Sequence, residues 1–380
     1  MKSKLLSLVL AFLMSVSDAA VSGNVPPPAA ETDSSAMQFV HDMGIGINLG
    51  NTFEACGDWI ALYGDGSPQS YETAWGSPVI TKDMIEGYAA AGFSTLRVPV
   101  AWSNLMGSGY TVSTEYIAAV KEVVDWAVDC GMYVIVNLHY DNGWFENFPT
   151  DTDECMRRYK KIWTQVGNAF KDYDEHVIFE GQNEELGWSS LWNPWGGTAG
   201  KEQSYDLVNE INQTFVDLIR SQGGNNKTRY LLIPGYNTNI GYTVDPLYKV
   251  PDDPANMVII SVHYYSPAEF AILTEDASWG KARRTWGTDA DKKDLCEAME
   301  QLKTRFLDNG IPVIIGEYGC PTENKDIASV RLFISSVCEE AYSRGMCPVL
   351  WSTPGHYYDR NTCTMTDSEI AARLKEISES

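Results

Sequence analysis

The chain has 380 residues, enough for one large domain with long loops or for two or three small domains. It carries 51 acidic against 28 basic residues, for a formal net charge of −23, and this excess of negative charge excludes nucleic acids and anionic membranes as partners. A neutral polymer is still permitted as a partner, and 12 tryptophans and 20 tyrosines supply flat rings that either pack in a core or contact sugar faces.

The first segment has the pattern of a secretory signal peptide. Two lysines precede an apolar run (5–16), and small residues follow at the spacing typical of a cleavage site after Ala19. The run is too short to span a bilayer, so no membrane anchor is expected after cleavage. We therefore expect residues 1–19 to be removed, residues 20–35 to form a flexible leader rich in Pro, Ser and Ala, and residues 36–380 to form one exported domain.

Eight short apolar or aromatic runs, most of them ending in polar residues, recur through the rest of the chain. Runs of this length and composition predict strands that are buried on both faces. In chain order they are GIGINLGN (44–51), FSTLRVPV (93–100), MYVIVNLH (132–139), HVIFEGQNE (176–184), RYLLIPGY (229–236), VIISVHYY (258–265), PVIIGEYG (312–319) and CPVLWSTP (347–354).

Segments between most of these runs have the apolar spacing of helices, clearest over 114–132, 155–173, 203–224 and 327–346. Several segments end in glycine just before the next run, as expected at a helix C-terminus: Gly92, Gly131, Gly310 and Gly345. Alternating strands and helices imply parallel pairing, so eight such units predict an α/β fold, a (β/α)₈ TIM barrel, in a single catalytic domain. A doubly wound open sheet is the alternative, but the first run lacks a G-x-G-x-x-G turn leading into a helix.

The C-terminal ends of all strands in such a barrel meet at one face, so residues at the ends of the runs should share a pocket. The histidines among them lack metal-ligand spacing, so we expect hydrogen bonding, no metal and no cofactor. Two carboxyl groups at the ends of apolar strands suit acetal hydrolysis, in which one donates a proton and the other meets an oxocarbenium ion. The residues are Asn48, Asn51, Arg97, Asn137, His139, Asn183, Glu184, His263, Tyr265, Glu317 and Trp351.

Seven motifs in a fixed order resemble those of glycoside hydrolase family 5, the cellulase family. They are GINLGNTFEACG, STLRVPVAW, NLHYDNGWF, the N-E of GQNEEL, SVHYYSP, GEYG and WSTP. The LGNTFEACG and HYYSP strings are most similar to the endoglucanase and xyloglucanase branch, subfamily 4. The resemblance covers nearly all of the expected mature chain.

This resemblance implies a retaining mechanism with Glu184 as acid/base and Glu317 as nucleophile. A positive charge near Glu317 keeps that carboxylate ionised, and its negative charge in turn disfavours ionisation of Glu184, so a proton stays available. The resemblance also implies a substrate-binding shell: Asn183 on the sugar 2-hydroxyl in the −1 subsite, Tyr265 hydrogen-bonded to Glu317, His263 beside Glu184, Arg97 near Glu317, Trp351 under the −1 sugar, and His139 completing the polar shell. Asn48 and Asn51, at the end of the first strand, are expected in the same shell.

Two positions depart from the family pattern. Glu185 stands where the family usually has proline, and Tyr140 stands where a second histidine is common. Because neighbours on a strand point to opposite faces, only one of Glu184 and Glu185 can face the barrel axis if the strand persists, and the adjacent Asn183 favours Glu184. Tryptophans in the loops after the strands either form sugar-stacking walls or pack the loops against the barrel: Trp59, Trp102, Trp144, Trp188, Trp192 and Trp195.

We therefore expect a secreted, extracellular and monomeric endo-β-1,4-glucanase that hydrolyses internal bonds of a plant cell-wall β-glucan. A xyloglucanase, lichenase or mannanase on the same site is the alternative within this chemistry. A non-catalytic carbohydrate-binding barrel is the alternative of a different class, and the presence of both Glu184 and Glu317 argues against it.

Overall fold

The computed structural model of the chain describes residues 34–184, 188, 190–194 and 196–380. The predicted signal peptide and nearly all of the predicted leader lie outside these residues. The described strands are β1 (Gly46–Asn48), β2 (Thr95–Val98), β3 (Tyr133–Asn137), β4 (Val177–Glu180), β5 (Leu231–Asn239), β6 (Val258–Tyr264), β7 (Val313–Tyr318), β8 (Cys347–Leu350), β9 (Tyr358–Asp359) and β10 (Thr364–Met365). Strands β1 to β8 pair in chain order and parallel, and β8 pairs with β1. The predicted TIM barrel is thus confirmed.

Helices connect the strands. They are α1 (Ser34–Asp42), α2 (Asp58–Tyr63), α3 (Pro68–Glu72), α4 (Lys82–Ala90), α5 (Thr114–Asp129), α6 (Thr152–Ala169), α7 (Lys201–Ser221), α8 (Ile240–Thr243), α9 (Ala268–Ala271), α10 (Asp289–Arg305), α11 (Ile327–Tyr342) and α12 (Ser368–Ser378), with 3₁₀ turns at Ser108–Tyr110, Trp144–Asn147, Gly224–Lys227 and Leu307–Asn309. The clearest predicted helices are confirmed as α5, α6, α7 and α11, and the four predicted C-terminal glycines all have positive φ. In the described part of the chain, no helix has the length and apolar character needed to cross a membrane.

Alternation along the strands separates an outer apolar layer from an inner one. On β3, Val134 and Val136 belong to the large core beneath the helices, whereas Ile135 belongs to a second cluster inside the barrel. The members of that second cluster on the strands are Ile135, Ile178, Leu232, Ile259, Ile314, Cys347 and Val349. Two residues further along β3, β4 and β6, the side chains are polar and bond one another: Asn137, Glu180 and Ser261. The barrel interior is therefore apolar at the strand starts and polar toward the strand ends.

Helix α1 closes the apolar end of the barrel. It begins at Ser34, two residues before the predicted start of the domain. The ring of Phe39 stacks on Tyr230 with centroids 3.6 Å apart and meets the edge of Tyr133 at 5.2 Å. Val40 and Met43 join the same inner cluster. The helix therefore supplies the apolar cover that the strand starts need.

Replacing Phe39 with alanine is expected to lower the free energy of unfolding by about 3 kcal/mol, because it removes a buried aromatic side chain and leaves a cavity. Activity at low temperature should be unchanged, since α1 lies at the end of the barrel opposite the strand ends. Urea unfolding followed by circular dichroism measures the loss. Leu62→Ala, at a position 75% exposed on α2, is the control and should change stability by less than about 0.5 kcal/mol. A Phe39→Ala variant as stable as this control would contradict the role of α1.

Candidate active site

Two glutamates face each other at the C-terminal end of the barrel. Glu317 lies on β7 and is buried, whereas Glu184 follows β4 and its side chain is 29% exposed. Nδ1 of His263 lies 2.6 Å from Oε1 of Glu184 and 3.6 Å from Oε2 of Glu317. One oxygen of each carboxyl group and one ring nitrogen of His263 lie within 4.8 Å of one another. The predicted pair is therefore brought together, with the predicted His263 between its members.

A β-bulge directs Glu317 toward this site. Val262 on β6 pairs with Ile315, but the next residue, His263, pairs with Glu317, so Gly316 has no counterpart on β6. A Cβ atom at Gly316 would lie only 2.8 Å from Oγ of Ser261. Only glycine therefore fits where the extra residue turns the strand and brings Glu317 level with His263.

Arg97, on β2, is fully buried and bonds four side chains. Its Nη1 donates to Glu317 Oε1 at 2.7 Å and to Asn48 Oδ1 at 2.9 Å. Its Nη2 donates to Asn183 Oδ1 at 2.7 Å, and its Nε donates to Glu180 Oε2 at 2.7 Å. Burial alone would lower the pKa of Arg97, but the charges of Glu180 and Glu317 outweigh it and raise that pKa above its ordinary value. A permanent positive charge is thus fixed beside Glu317.

The Glu317 carboxylate receives a second donor from the other side. The hydroxyl of Tyr265 donates to Oε2 at 2.9 Å. Burial raises the pKa of Glu317, the charges of His263 and Arg97 oppose that rise, and the charge of Glu184 adds to it. Burial also raises the pKa of Tyr265 well above its ordinary value, so this phenol keeps its proton and remains a donor.

His139 and Trp351 line another side of the same pocket. Their rings are nearly parallel, with centroids 5.7 Å apart. Burial and the charges of Arg97 and His263 lower the pKa of His139 well below its ordinary value, so its imidazole is neutral. Trp351 lies close to the chain after β1, where a Cβ atom at Gly50 would stand 2.9 Å from its ring. Glycine at that position therefore allows the indole to lie against the strand end.

Three of the four predicted asparagines, those other than Asn137, occupy different positions around this pocket. Asn48 is fully buried and bonds the carbonyls of Gly316, Val349 and Leu350, so it ties β1 to β7 and β8 while accepting from Arg97. Asn183 is buried beside Glu184, and its oxygen accepts from Arg97, whereas its amide nitrogen has no hydrogen-bond partner among the described residues. Asn51 is half-buried, and its φ of 61° is a conformation that asparagine tolerates.

Glu54 holds the loop that carries Asn51. Its carboxyl group accepts the backbone N–H groups of Asn51 and Thr52. Burial raises the pKa of Glu54 to about 7, against the lowering effect of these hydrogen bonds. Nothing at the end of the first predicted strand had indicated this contact.

Glu184, His263 and Glu317 have the spacing of a possible metal site, since each offers one ligand atom. However, Arg97 and Tyr265 already donate to both oxygens of Glu317, and Nδ1 of His263 is in contact with Glu184. A guanidinium 2.7 Å from one carboxylate oxygen repels a second cation. Hydrogen bonding therefore accounts for the grouping, and the absence of a metal remains a prediction.

Sequence reasoning missed Glu180, the last residue of β4, because it lies inside the longer predicted run 176–184 rather than at the end of that run. Its side chain is fully buried and accepts from Arg97 Nε at 2.7 Å, Asn137 Nδ2 at 3.1 Å and Ser261 Oγ at 2.8 Å. A carboxylate directly after Val-Ile-Phe in a strand buried on both faces needs a partner, and that signal was present in the sequence. Which partner it has depends on contacts between distant strands.

Most of the candidate tryptophans pack in the core. Trp188 donates to the carbonyl of Phe145, and Trp192 packs among Tyr205, Tyr236 and Tyr242. Trp102 and Trp144 are also buried, whereas Trp59 is 37% exposed. Tyr140, directly after His139, is exposed as well. Trp195 and Glu185 lie outside the described residues.

Comparison with known sequences shows which proteins this chain resembles. The sequence model described as "Cellulase (glycosyl hydrolase family 5)" matches residues 58–355. Endoglucanase A of Clostridium longisporum is 36% identical over 92% of this chain, which spans 65% of that protein's length.

Two solved structures are similar over almost their whole length. A GH5-4 broad specificity endoglucanase from an uncultured bovine rumen ciliate has a TM-score of 0.81 at 34% identity, covering 90% of this chain and 98% of that one. A family GH5 lichenase from Caldicellulosiruptor sp. F32 has a TM-score of 0.83 at 32% identity, covering 96% and 99%. The fold and about a third of the sequence are therefore shared with proteins described as an endoglucanase and a lichenase.

Proposed function

The chain belongs to the cellulase family, glycosyl hydrolase family 5, and we propose that its barrel is an endo-β-1,4-glucanase that cuts internal β-1,4-glucosidic bonds of plant cell-wall glucans. The observation that carries the proposal is the pair of carboxyl groups of Glu184 and Glu317, of which one oxygen each lies within 4.8 Å of the other, beside a ring nitrogen of His263. So short a separation supports a retaining double displacement, for which carboxyl groups about 5 to 5.5 Å apart are typical. An inverting enzyme needs room for a water molecule between them.

In the first step, Glu184 donates a proton to the glycosidic oxygen while a Glu317 oxygen attacks the anomeric carbon. The bond from that carbon to the glycosidic oxygen breaks, the leaving saccharide keeps the proton, and a glycosyl ester forms on Glu317. The 2.6 Å contact between His263 and Glu184 holds the acid in place. The amide nitrogen of Asn183 donates to the 2-hydroxyl of the −1 sugar, and Trp351 lies beneath the ring.

In the second step, the negative charge on Glu317 is gone because it has become an ester. Glu184 then takes a proton from water, the water oxygen attacks the anomeric carbon, and Glu317 leaves as a carboxylate. Arg97 and Tyr265 are already placed to receive the returning charge on Oε1 and Oε2. Asn48 and Arg97 are fully buried, so they position Glu317 and Asn183 rather than contact the polymer.

Replacing Tyr265 with phenylalanine is expected to lower kcat about 10- to 100-fold, because one hydrogen bond to the Glu317 carboxylate is lost. Loss of a donor to the charged form also raises the pKa of Glu317, so the acidic limb of kcat/KM should move to higher pH. A pH profile on a soluble β-glucan measures both effects. Tyr63→Phe, at an exposed position on α2, is the control. An unchanged acidic limb in Tyr265→Phe would contradict the proposed contact.

The backbone preference is tested by release of reducing ends from carboxymethylcellulose, barley β-glucan, xyloglucan and glucomannan. Cleavage of carboxymethylcellulose and barley β-glucan with a rapid fall in viscosity supports endo action on glucans. Cleavage of barley β-glucan alone supports a lichenase, the second candidate, which the similarity to the Caldicellulosiruptor enzyme favours. Binding of these polymers without cleavage of any of them overturns the catalytic proposal.

We further propose that the protein is exported through its N-terminal segment, loses residues 1–19, and acts outside the cell as a monomer on a polysaccharide. The apolar run behind two lysines at the N-terminus supports export, and the large negative net charge supports a soluble monomer. N-terminal sequencing of the secreted protein and its mass in solution test the two statements.

A further inference from the structure

In the described structure, one buried carboxylate beside the catalytic pair takes no part in either step of the proposed reaction. This carboxylate belongs to Glu180. It is the last residue of β4, after which the chain leads to Asn183 and Glu184. Its side chain is fully buried, and its hydrogen-bond donors among the described residues are Arg97, Asn137 and Ser261. Because these donors come from β2, β3 and β6, the residue joins three strands at the level just below the site.

The key contact is with Arg97, whose guanidinium lies between Glu180 and Glu317. Nε donates to Glu180 and Nη1 donates to Glu317, both at 2.7 Å. One positive charge is therefore shared by two carboxylates, and the group of three carries one surplus negative charge. A shared cation cannot neutralise both anions, so Glu317 keeps part of its charge for the oxocarbenium ion that develops above it.

The charge balance changes when Glu317 becomes an ester. Without Glu180, the glycosyl-enzyme would leave Arg97 as a buried positive charge next to a developing positive sugar. With Glu180, Arg97 keeps a carboxylate partner at every stage of the cycle. This role is separate from the direct contacts of Tyr265 and His263.

We propose that Glu180 is a positioning residue for the reaction, the permanent counter-ion of Arg97 that sets how strongly Arg97 stabilises the negative charge of Glu317. The inference rests on the proposed function only for its kinetic consequence. The other ionisable groups that face Glu317 or Arg97 are Glu184 after β4, His139 after β3, and His263 and Tyr265 from β6 and its end. None of these contacts Glu180 directly.

The variant Glu180→Gln removes the charge and preserves the shape. An amide oxygen in the place of Oε2 can still accept from Arg97 and Asn137, and the amide nitrogen can donate to the hydroxyl of Ser261, which is both donor and acceptor. Arg97 then acts on Glu317 alone. Loss of the competing negative charge lowers the pKa of Glu317, so the acidic limb of kcat/KM should move down by about one pH unit. At its plateau, kcat/KM should fall about 10- to 100-fold, because Glu317 is a weaker nucleophile and the ester intermediate is less stable.

The matched control is Asp253→Asn. Asp253 forms the other well-buried arginine pair of the described residues, with Arg220 at 2.7 and 2.8 Å, and lies before β6 at the opposite end of the barrel. Its loss should lower the melting temperature without moving the acidic limb. Glu180→Asp keeps the charge but shortens the side chain. This variant should have a lower kcat, while the acidic limb of its kcat/KM should stay at the wild-type pH.

The decisive measurement is the pH profile of wild type, Glu180→Gln, Glu180→Asp and Asp253→Asn on barley β-glucan. A downward shift confined to Glu180→Gln supports the proposal. The proposal is overturned if the acidic limb of kcat/KM is unchanged in Glu180→Gln, or if this limb shifts equally in Glu180→Asp. Titration of ¹³Cδ-labelled glutamates by NMR, with the Glu317 signal assigned from Glu317→Gln, tests the same shift without substrate. A wild-type protein that cleaves no glucan refutes the proposed function, and the NMR shift of Glu317 still decides the role of Glu180. If Glu180→Gln does not fold, Glu180→Asp supplies the test.

Discussion

Replacing Glu317 with glutamine is expected to reduce β-glucan hydrolysis by about 10⁴-fold or more, because the amide cannot form the glycosyl ester. Glu184→Gln should lose about 10²- to 10⁴-fold, the usual contribution of a general acid. Both side chains keep their size, so folding should be preserved. Reducing-end release from barley β-glucan measures the losses, and Glu175→Gln, an exposed position just before β4, is the control that should retain wild-type activity.

An activated substrate distinguishes the acid/base role of Glu184 from the nucleophilic role of Glu317. A dinitrophenyl cellobioside has a leaving group that needs no proton, so Glu184→Gln should still release one equivalent in a burst and then stall at the ester. Glu317→Gln should give no burst. Added azide should restore turnover in Glu184→Ala with a β-glycosyl azide as product, and in Glu317→Ala with the α anomer. Equal behaviour of the two variants would refute the assignment.

Glu185 provides an internal check on the acid. It neighbours Glu184 but lies outside the described residues, so only the variant distinguishes them. If Glu185→Gln loses activity and Glu184→Gln keeps it, the acid/base is Glu185. The contact of Glu184 with His263 leads us to expect the opposite.

Replacing Arg97 with methionine is expected to remove both stability and activity. The variant leaves Glu180 buried without its partner and Asn48, Asn183 and Glu317 without their shared donor. Breaking a buried ion pair from one side typically lowers the free energy of unfolding by about 3 to 5 kcal/mol. Activity should fall by at least about 10²-fold, since Glu317 loses its fixed cation. Urea unfolding and kcat/KM, measured at the same pH, give the two losses.

A double variant measures how much of the lost stability arises because Glu180 is left buried without the charge of Arg97. Arg97→Met combined with Glu180→Gln should recover a large part of the stability but none of the activity, because the uncompensated charge is gone while Glu317 still lacks a cation. Arg97→Lys should recover little of either, because a single ammonium cannot reach four acceptors in one plane. An Arg97→Met variant as stable as wild type would contradict the proposed network.

Much of this molecule was predictable because the signals are local. A run such as MYVIVNLH is apolar or aromatic at each position from Met132 to Val136, so this part must be buried on both faces. Eight such runs separated by amphipathic segments have few arrangements other than a closed parallel barrel. The barrel then brings the strand ends together, which is why Glu184, His263 and Glu317 could be placed in one pocket without coordinates.

The tertiary structure alone decided what depends on contacts between distant strands. The sequence indicates that Glu180 is charged and buried, but its bond to Arg97, 83 residues away, follows from barrel closure and register. The bulge at Gly316, which sets Glu317 opposite His263, is likewise a property of two paired strands. Whether Trp188 and Trp192 faced a ligand or the core depended on the rings packed around them. Periodicity along the chain specifies which elements form and which faces are buried, whereas the partner of a buried charge is fixed only when the strands have closed around it.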